Sequence, residues 1–289
     1  MSQIFRDYIK LTKPWIMSLL LVTALGGMVL AAEGWPETRL VIAVLVGGAL
    51  ASGGASALNH AMEPELDRRM RRTGNRPVAN NRISVRRATL FGVTLNLLSF
   101  IVLYWEANLL AAALTIGGSV LYIGFYTYIL KRSTIHNIVV GGIGGALPPL
   151  VGWAAVNGNI ELSGMFLLAI VFFWTPPHFW ALALLIRDDY EAAKVPMLPV
   201  IKGESVTAVW MLAYAILLIP LTWLLYFANA SLGLLYLATS GFLGIGFIWY
   251  CWKLIKVNTR TSAAGVYKFS LLYLPGVFIV IMIDASFNM

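Results

Sequence analysis

The chain has 289 residues, 59% of them hydrophobic and 12% charged, with a mean hydropathy of +0.79. A soluble domain is nearer half apolar and a quarter charged, so this composition excludes one and calls for a membrane. A single cysteine, Cys251, excludes an internal disulfide framework and a cysteine-rich metal site, and in such a chain a net charge of +8 reads as orientation charge, not as a nucleic-acid surface.

Residues 1–14 carry Arg6, Asp7, Lys10 and Lys13 ahead of an apolar run long enough to span. Neither a cleavable signal nor a Ser/Arg-rich transit pattern is predicted there, so the expected location is a bacterial or archaeal plasma membrane. Runs able to cross about 30 Å of hydrocarbon follow at 15–32, 38–58, 88–105, 108–128, 137–156, 162–185, 207–227, 231–252 and 268–286. The fifth holds Gly141, Gly142, Gly144 and Gly145 and then Pro148-Pro149, which predict close helix approach and a kink. The expected fold is an all-α integral membrane protein, one transmembrane domain over 1–289 built as a bundle of nine helices.

Charge sets the expected orientation. With the N-terminus in the cytoplasm, Arg39 is the one basic residue outside, and the long connections 59–87 and 186–206 both lie inside. Merging or splitting a span would put later basic loops on the wrong side, so the C-terminus is expected outside. Outer connections are short, and binding chemistry should therefore open towards the cytoplasm.

The densest charge lies in 59–87. Asn59, Glu63 and Asp67 are four residues apart, which on a helix places them on one face. An amide and two carboxylates suit a hard cation such as Mg²⁺, which keeps waters and binds few carboxylates plus substrate phosphates. The alternative is a solvated loop in which they pair with Arg68, Arg71 or Arg72. Pro64 is expected to start a new helical turn. Arg72 and Arg76 suit bidentate phosphate contacts, although part of the arginine run serves orientation. At the end of the fourth span, Tyr126 and Lys131 read either as substrate contacts or as an aromatic belt with a topological lysine.

In the sixth span, Pro176-Pro177 is predicted to break the helical ladder beside a cavity. His178 follows, either facing substrate or bonding a carbonyl that the prolines free. Asp188, Asp189 and Tyr190 open the second long connection. Orientation does not explain their negative charge; a second cluster facing the first would, and so would a capped, solvated helix end.

With both acidic segments placed, the chain resembles the intramembrane prenyltransferases of the UbiA type, and more narrowly their haem-farnesylating branch. The narrow resemblance rests on Thr12-Lys13-Pro14, on Asp67 through Met70-Arg71-Arg72-Thr73 to Asn75-Arg76-Pro77, on Pro177-His178-Phe179, and on Asp189-Tyr190 leading to Pro196-Met197-Leu198-Pro199-Val200. It implies transfer of a farnesyl group from farnesyl diphosphate to a vinyl group of haem B, giving haem O, with Mg²⁺ held by Asn59, Glu63 and Asp67. Arg72, Arg76 and Lys131 would take up diphosphate charge, and Tyr126 would stand with the catalytic set. His178, Asp188, Asp189 and Tyr190 would line the substrates. The implied partners are these two substrates, membrane lipid and, downstream, haem A synthase or terminal oxidase assembly. The sequence departs from the family pattern at Glu63, where Asp is usual, at Ala61, where an aromatic is usual, and at Asp188-Asp189, which are adjacent and not four apart. Transfer to a quinone precursor or chlorophyll-type ring is the alternative among enzymes. A secondary transporter is the alternative class, although no inverted repeat is evident.

Overall fold

The computed structural model describes residues 2–287. Among them, nine helices are long and apolar enough to cross a membrane: Pro14–Ala31, Thr38–Met62, Val85–Glu106, Leu109–Ser133, Asn137–Asn157, Leu162–Leu185, Glu204–Ala228, Leu234–Val257 and Arg260–Phe287. We number them as the first to ninth spans. Their faces carry large exposed apolar side chains, such as Leu90, Ile101, Phe227 and Phe242, as lipid contact requires. The expected all-α architecture stands. The chief change in bounds is at the ninth span, which begins at Arg260 and not near 268, because its polar first turns keep helical geometry beyond the apolar stretch.

Where spans meet, small residues set the distance. A Cβ added at Gly152 of the fifth span would collide with the Ala24 carbonyl of the first, so backbone packs directly on backbone there. The fifth span is interrupted at Leu147, and Pro148 and Pro149 open its second half from the first helical positions, where a missing N–H costs nothing. The sixth span corrects one expectation. Pro176 and Pro177 lie inside a helix that runs unbroken from Leu162 to Leu185. Both prolines, with Trp174, Thr175 and His178, are buried, so packing holds the backbone helical despite two lost donors.

The fourth span holds an element that hydropathy does not register. Leu121–Leu130 is a π-helix, and the Lys131 N–H donates to the Tyr126 carbonyl across the wider turn. Such wide turns are frequent at functional sites.

Both long connections fold. Pro64–Arg69 is a short helix, and the segment after it is pinned by arginines. Arg68 donates to the Ala79 carbonyl at 2.7 Å and to Asn81 at 2.9 Å. Arg82 donates to the Asn75 carbonyl at 2.8 Å and pairs at 3.0 Å with Asp7, which is buried on the N-terminal helix Gln3–Thr12. In the second connection, Arg187–Ala192 and Leu198–Ile201 are helical. The Arg72 N–H donates to Asp189 Oδ2 at 3.1 Å, so the two connections meet at one end of the bundle.

Candidate diphosphate and metal site

The second span ends at Met62, and Glu63 caps both it and the short helix that Pro64 starts. The four-residue spacing survives the junction. The Glu63 N–H donates to the Asn59 carbonyl at 3.2 Å, and the Asp67 N–H to the Glu63 carbonyl at 2.9 Å. Asn59, Glu63 and Asp67 are all buried.

Each is met by a cation from another part of the chain. Lys131 Nζ donates to Glu63 Oε2 at 2.6 Å, and Lys13 Nζ to Asn59 Oδ1 at 3.2 Å. Arg76 Nη1 reaches Asp67 Oδ1 and Oδ2 at 2.8 and 3.0 Å. The loop alternative expected Arg68, Arg71 or Arg72 to pair with the acidic residues; the partners are Lys131 for Glu63 and Arg76 for Asp67. Asn59 Nδ2 donates to Glu63 Oε2 at 2.8 Å and to Thr127 Oγ1 at 3.3 Å. Thr127 lies in the π-helical turn and bonds the Tyr122 carbonyl five residues back. That turn therefore aims both Thr127 and Lys131 at the second span.

Burial lowers Lys13 to about 7, helped by the nearby charges of Arg76 and Lys131, while Asp67 and Glu63 pull the other way. Lys13 reaches the site because its backbone is left-handed, with φ 50° immediately before Pro14. A non-glycine residue there is strained by roughly 1–2 kcal/mol, which the surrounding contacts must hold. Arg76 and Lys131 thus balance the two carboxylates, and Lys13 regains its full charge when further negative charge, such as a polyanion, comes beside it.

One acceptor in this crowded cluster stays empty. Glu63 Oε1 is buried and has no partner among the described residues. With Asn59 Oδ1 and the Asp67 oxygens, which accept from Lys13 and Arg76, it offers oxygen donors only, the chemistry a hard divalent cation takes. The residues present fit such an ion.

Other expected site residues fall into two groups. Tyr126 stacks on Tyr122, 5.8 Å between centroids, and Tyr190 is buried near the same cluster. Burial pushes the Tyr190 phenol up, against the pull of Arg72 and Arg76. Arg72 joins the region through its main-chain contact with Asp189. By contrast, Asp188 is exposed and lines a separate cavity of about 220 Å³ with Arg187, Glu204, Asn258 and Arg260. His178 lies deeper, between the sixth and ninth spans, with Nδ1 2.7 Å from Ser270 Oγ. Sequence reasoning did not place Lys13 or Thr127 in the site. Lys13 reads as orientation charge by its place in the sequence, and the signals that single it out are the following proline and the Thr12-Lys13-Pro14 motif.

Comparison with known proteins places this geometry. Residues 20–273 match the UbiA prenyltransferase family. The protoheme IX farnesyltransferase of Thermus thermophilus is 48% identical over 98% of this chain, and the chain spans 46% of that protein's length. The protein of that name from Trichodesmium erythraeum is 45% identical over 98% of this chain and 87% of its own length. Among solved structures, a digeranylgeranylglyceryl phosphate synthase superposes with a TM-score of 0.80 at 17% identity, covering 98% of this chain and 99% of its own. A UbiA homolog from Archaeoglobus fulgidus bound to GPP and Mg²⁺ gives 0.69 at 15% identity, over 95% and 99%. At such identities the structures speak for the fold alone, while the sequence matches go further: the chain belongs to the UbiA prenyltransferase family, on the branch of the protoheme IX farnesyltransferases.

Proposed function

We propose that the chain, acting as one domain, transfers the farnesyl group of farnesyl diphosphate to a vinyl group of haem B, giving haem O. The observation that carries this is the buried row Asn59, Glu63 and Asp67 beneath Lys13, Arg76 and Lys131, in a chain so similar to protoheme IX farnesyltransferases. The Archaeoglobus homolog that holds GPP and Mg²⁺ supports a prenyl diphosphate and this metal as ligands. We infer the cytoplasmic opening and plasma membrane from basic residues gathered at the end where the long connections meet.

The residues divide the work. Asn59, Glu63 and Asp67 would hold Mg²⁺, which when bound supplies Lewis-acid charge to the leaving diphosphate. Lys131, Lys13 and Arg76 neutralise the rest of that charge, and burial strengthens each contact. The C1–O bond of the farnesyl diphosphate breaks, and the electron pair leaves with the diphosphate. The terminal vinyl carbon forms the new C–C bond. Water adds to the adjacent carbon, leaving a hydroxyl group and releasing one proton. Tyr122 and Tyr126 present stacked π faces beside the cluster, which favour the developing allylic cation.

The test is an acceptor competition. Purified protein with farnesyl diphosphate and Mg²⁺ is offered haem B and a 4-hydroxybenzoate-type quinone precursor together. Mass spectrometry should find haem carrying one farnesyl group and one hydroxyl group, with the quinone precursor unchanged. Prenylation of the quinone precursor in preference to haem would overturn the assignment.

A further inference from the structure

We infer that His178 is the axial ligand that holds the substrate haem by its iron, through Nε2; this rests on the haem reading above. The ring is packed between Trp174 at 4.3 Å and Tyr267 at 5.1 Å, both nearly parallel, with Phe179 edge-on at 5.4 Å. Its tautomer follows from hydrogen-bond accounting. Ser270 has one hydroxyl proton and donates it to the Tyr267 carbonyl at 2.6 Å. Its oxygen can therefore only accept from His178, at 2.7 Å, which puts the imidazole proton on Nδ1 and leaves a lone pair on Nε2. Trp174 Nε1 bonds the Ser270 carbonyl at 2.9 Å and fixes the same turn of the ninth span.

An imidazole whose second nitrogen donates to a fixed acceptor is the arrangement of a metal ligand. Among the described residues no protein group bonds Nε2. The residue keeps 8% of its surface open, unlike His60, whose two ring nitrogens are buried and have no partner among the described residues. One imidazole does not make a site for a free ion, and no group of three His, Cys, Asp or Glu able to hold one occurs among the described residues. An iron already held by four porphyrin nitrogens needs one such donor, and the rings stacked on His178 fix the plane in which that donor points.

Position agrees. A Cβ on Gly141 of the fifth span would collide with the Tyr126 ring, and one on Gly142 would meet Thr175 Cγ2 at 3.0 Å. Only a glycine backbone therefore separates Tyr126, beside the diphosphate cluster, from Thr175, one turn before His178. A ligated haem would lie about one helix diameter, ~10 Å, from the donor.

The experiment compares ferric haem with metal-free protoporphyrin IX as ligands of the purified protein, by absorption and electron paramagnetic resonance. Wild type should show nitrogen axial ligation and prefer haem by more than about tenfold, a scale set by groups that merely orient such a ligand. His178→Phe keeps the ring stack and should lose both the signature and the preference while still binding farnesyl diphosphate. His178→Gly with added imidazole should regain the signature, and Ser270→Ala should keep it with roughly tenfold weaker haem binding. An unchanged spectrum and preference in His178→Phe, with wild type still farnesylating haem, would overturn this inference alone. A wild type that neither binds nor farnesylates haem would overturn the proposed function as well.

Discussion

Asp67→Asn should lower haem farnesylation by on the order of 10²–10³, the loss seen when one preorganised charge contact is removed from a buried site. The substitution keeps the shape and removes the charge. Asp67 is buried, and both its oxygens accept from Arg76. An amide offers one acceptor and turns a donor towards the guanidinium. It also withdraws a ligand charge that a metal–diphosphate pair needs. Part of the effect will be on stability, because breaking a buried pair leaves an uncompensated charge, at a cost of up to about 3–5 kcal/mol. The double variant Asp67→Asn/Arg76→Gln separates the two. It should recover most of the thermal stability and none of the turnover. Near-normal turnover in either variant at saturating Mg²⁺ would remove Asp67 from the reaction.

The second large effect is expected at Glu63. Glu63 Oε2 is shared by Asn59 and Lys131, and Oε1 is empty. Glu63→Asp keeps the charge and shortens the arm by one methylene. Since Mg²⁺ tolerates water between itself and a carboxylate, this variant should retain substantial activity with an altered Mg²⁺ requirement. Glu63→Gln keeps the length, loses the charge and strands Lys131; turnover should fall about 10²-fold. The Arg39–Glu106 pair, bidentate at 2.6 and 3.0 Å near the other end of the second and third spans, is the internal control. It is solvent-screened, so Glu106→Gln should leave turnover unchanged. Equal Mg²⁺ curves for Glu63→Asp, Glu63→Gln and wild type would make Glu63 a packing residue.

Much of this was legible in the residues. Hydropathy sufficed for the spans because a bilayer demands long apolar helices and little else satisfies it. The spacing of Asn59, Glu63 and Asp67 survived Pro64 because a proline fits the first turn of a restarted helix. Spacing is blind to partners that arrive from afar in sequence. Lys13 enters through a left-handed residue, and Lys131 through a π-helical segment, neither of which has a periodic signature. Nor could composition sort the arginines. Arg68 and Arg82 staple their own loop and Arg76 faces Asp67, a division set by tertiary contacts. Asp188 and Asp189 are neighbours, yet a short helix turns Asp189 to Arg72 and leaves Asp188 over a different cavity. At Pro176-Pro177 a local rule for helix breaking lost to burial on both sides.

The most direct test of the account is metal removal and return during product formation. Purified wild-type protein is given haem B and farnesyl diphosphate, stripped with a chelator, and then supplied with Mg²⁺, while haem O is followed by mass. Chelation should stop product formation and Mg²⁺ should restore it, with no recovery in Asp67→Asn. Haem O forming at the full rate in excess chelator would contradict a metal–diphosphate site at Asn59, Glu63 and Asp67.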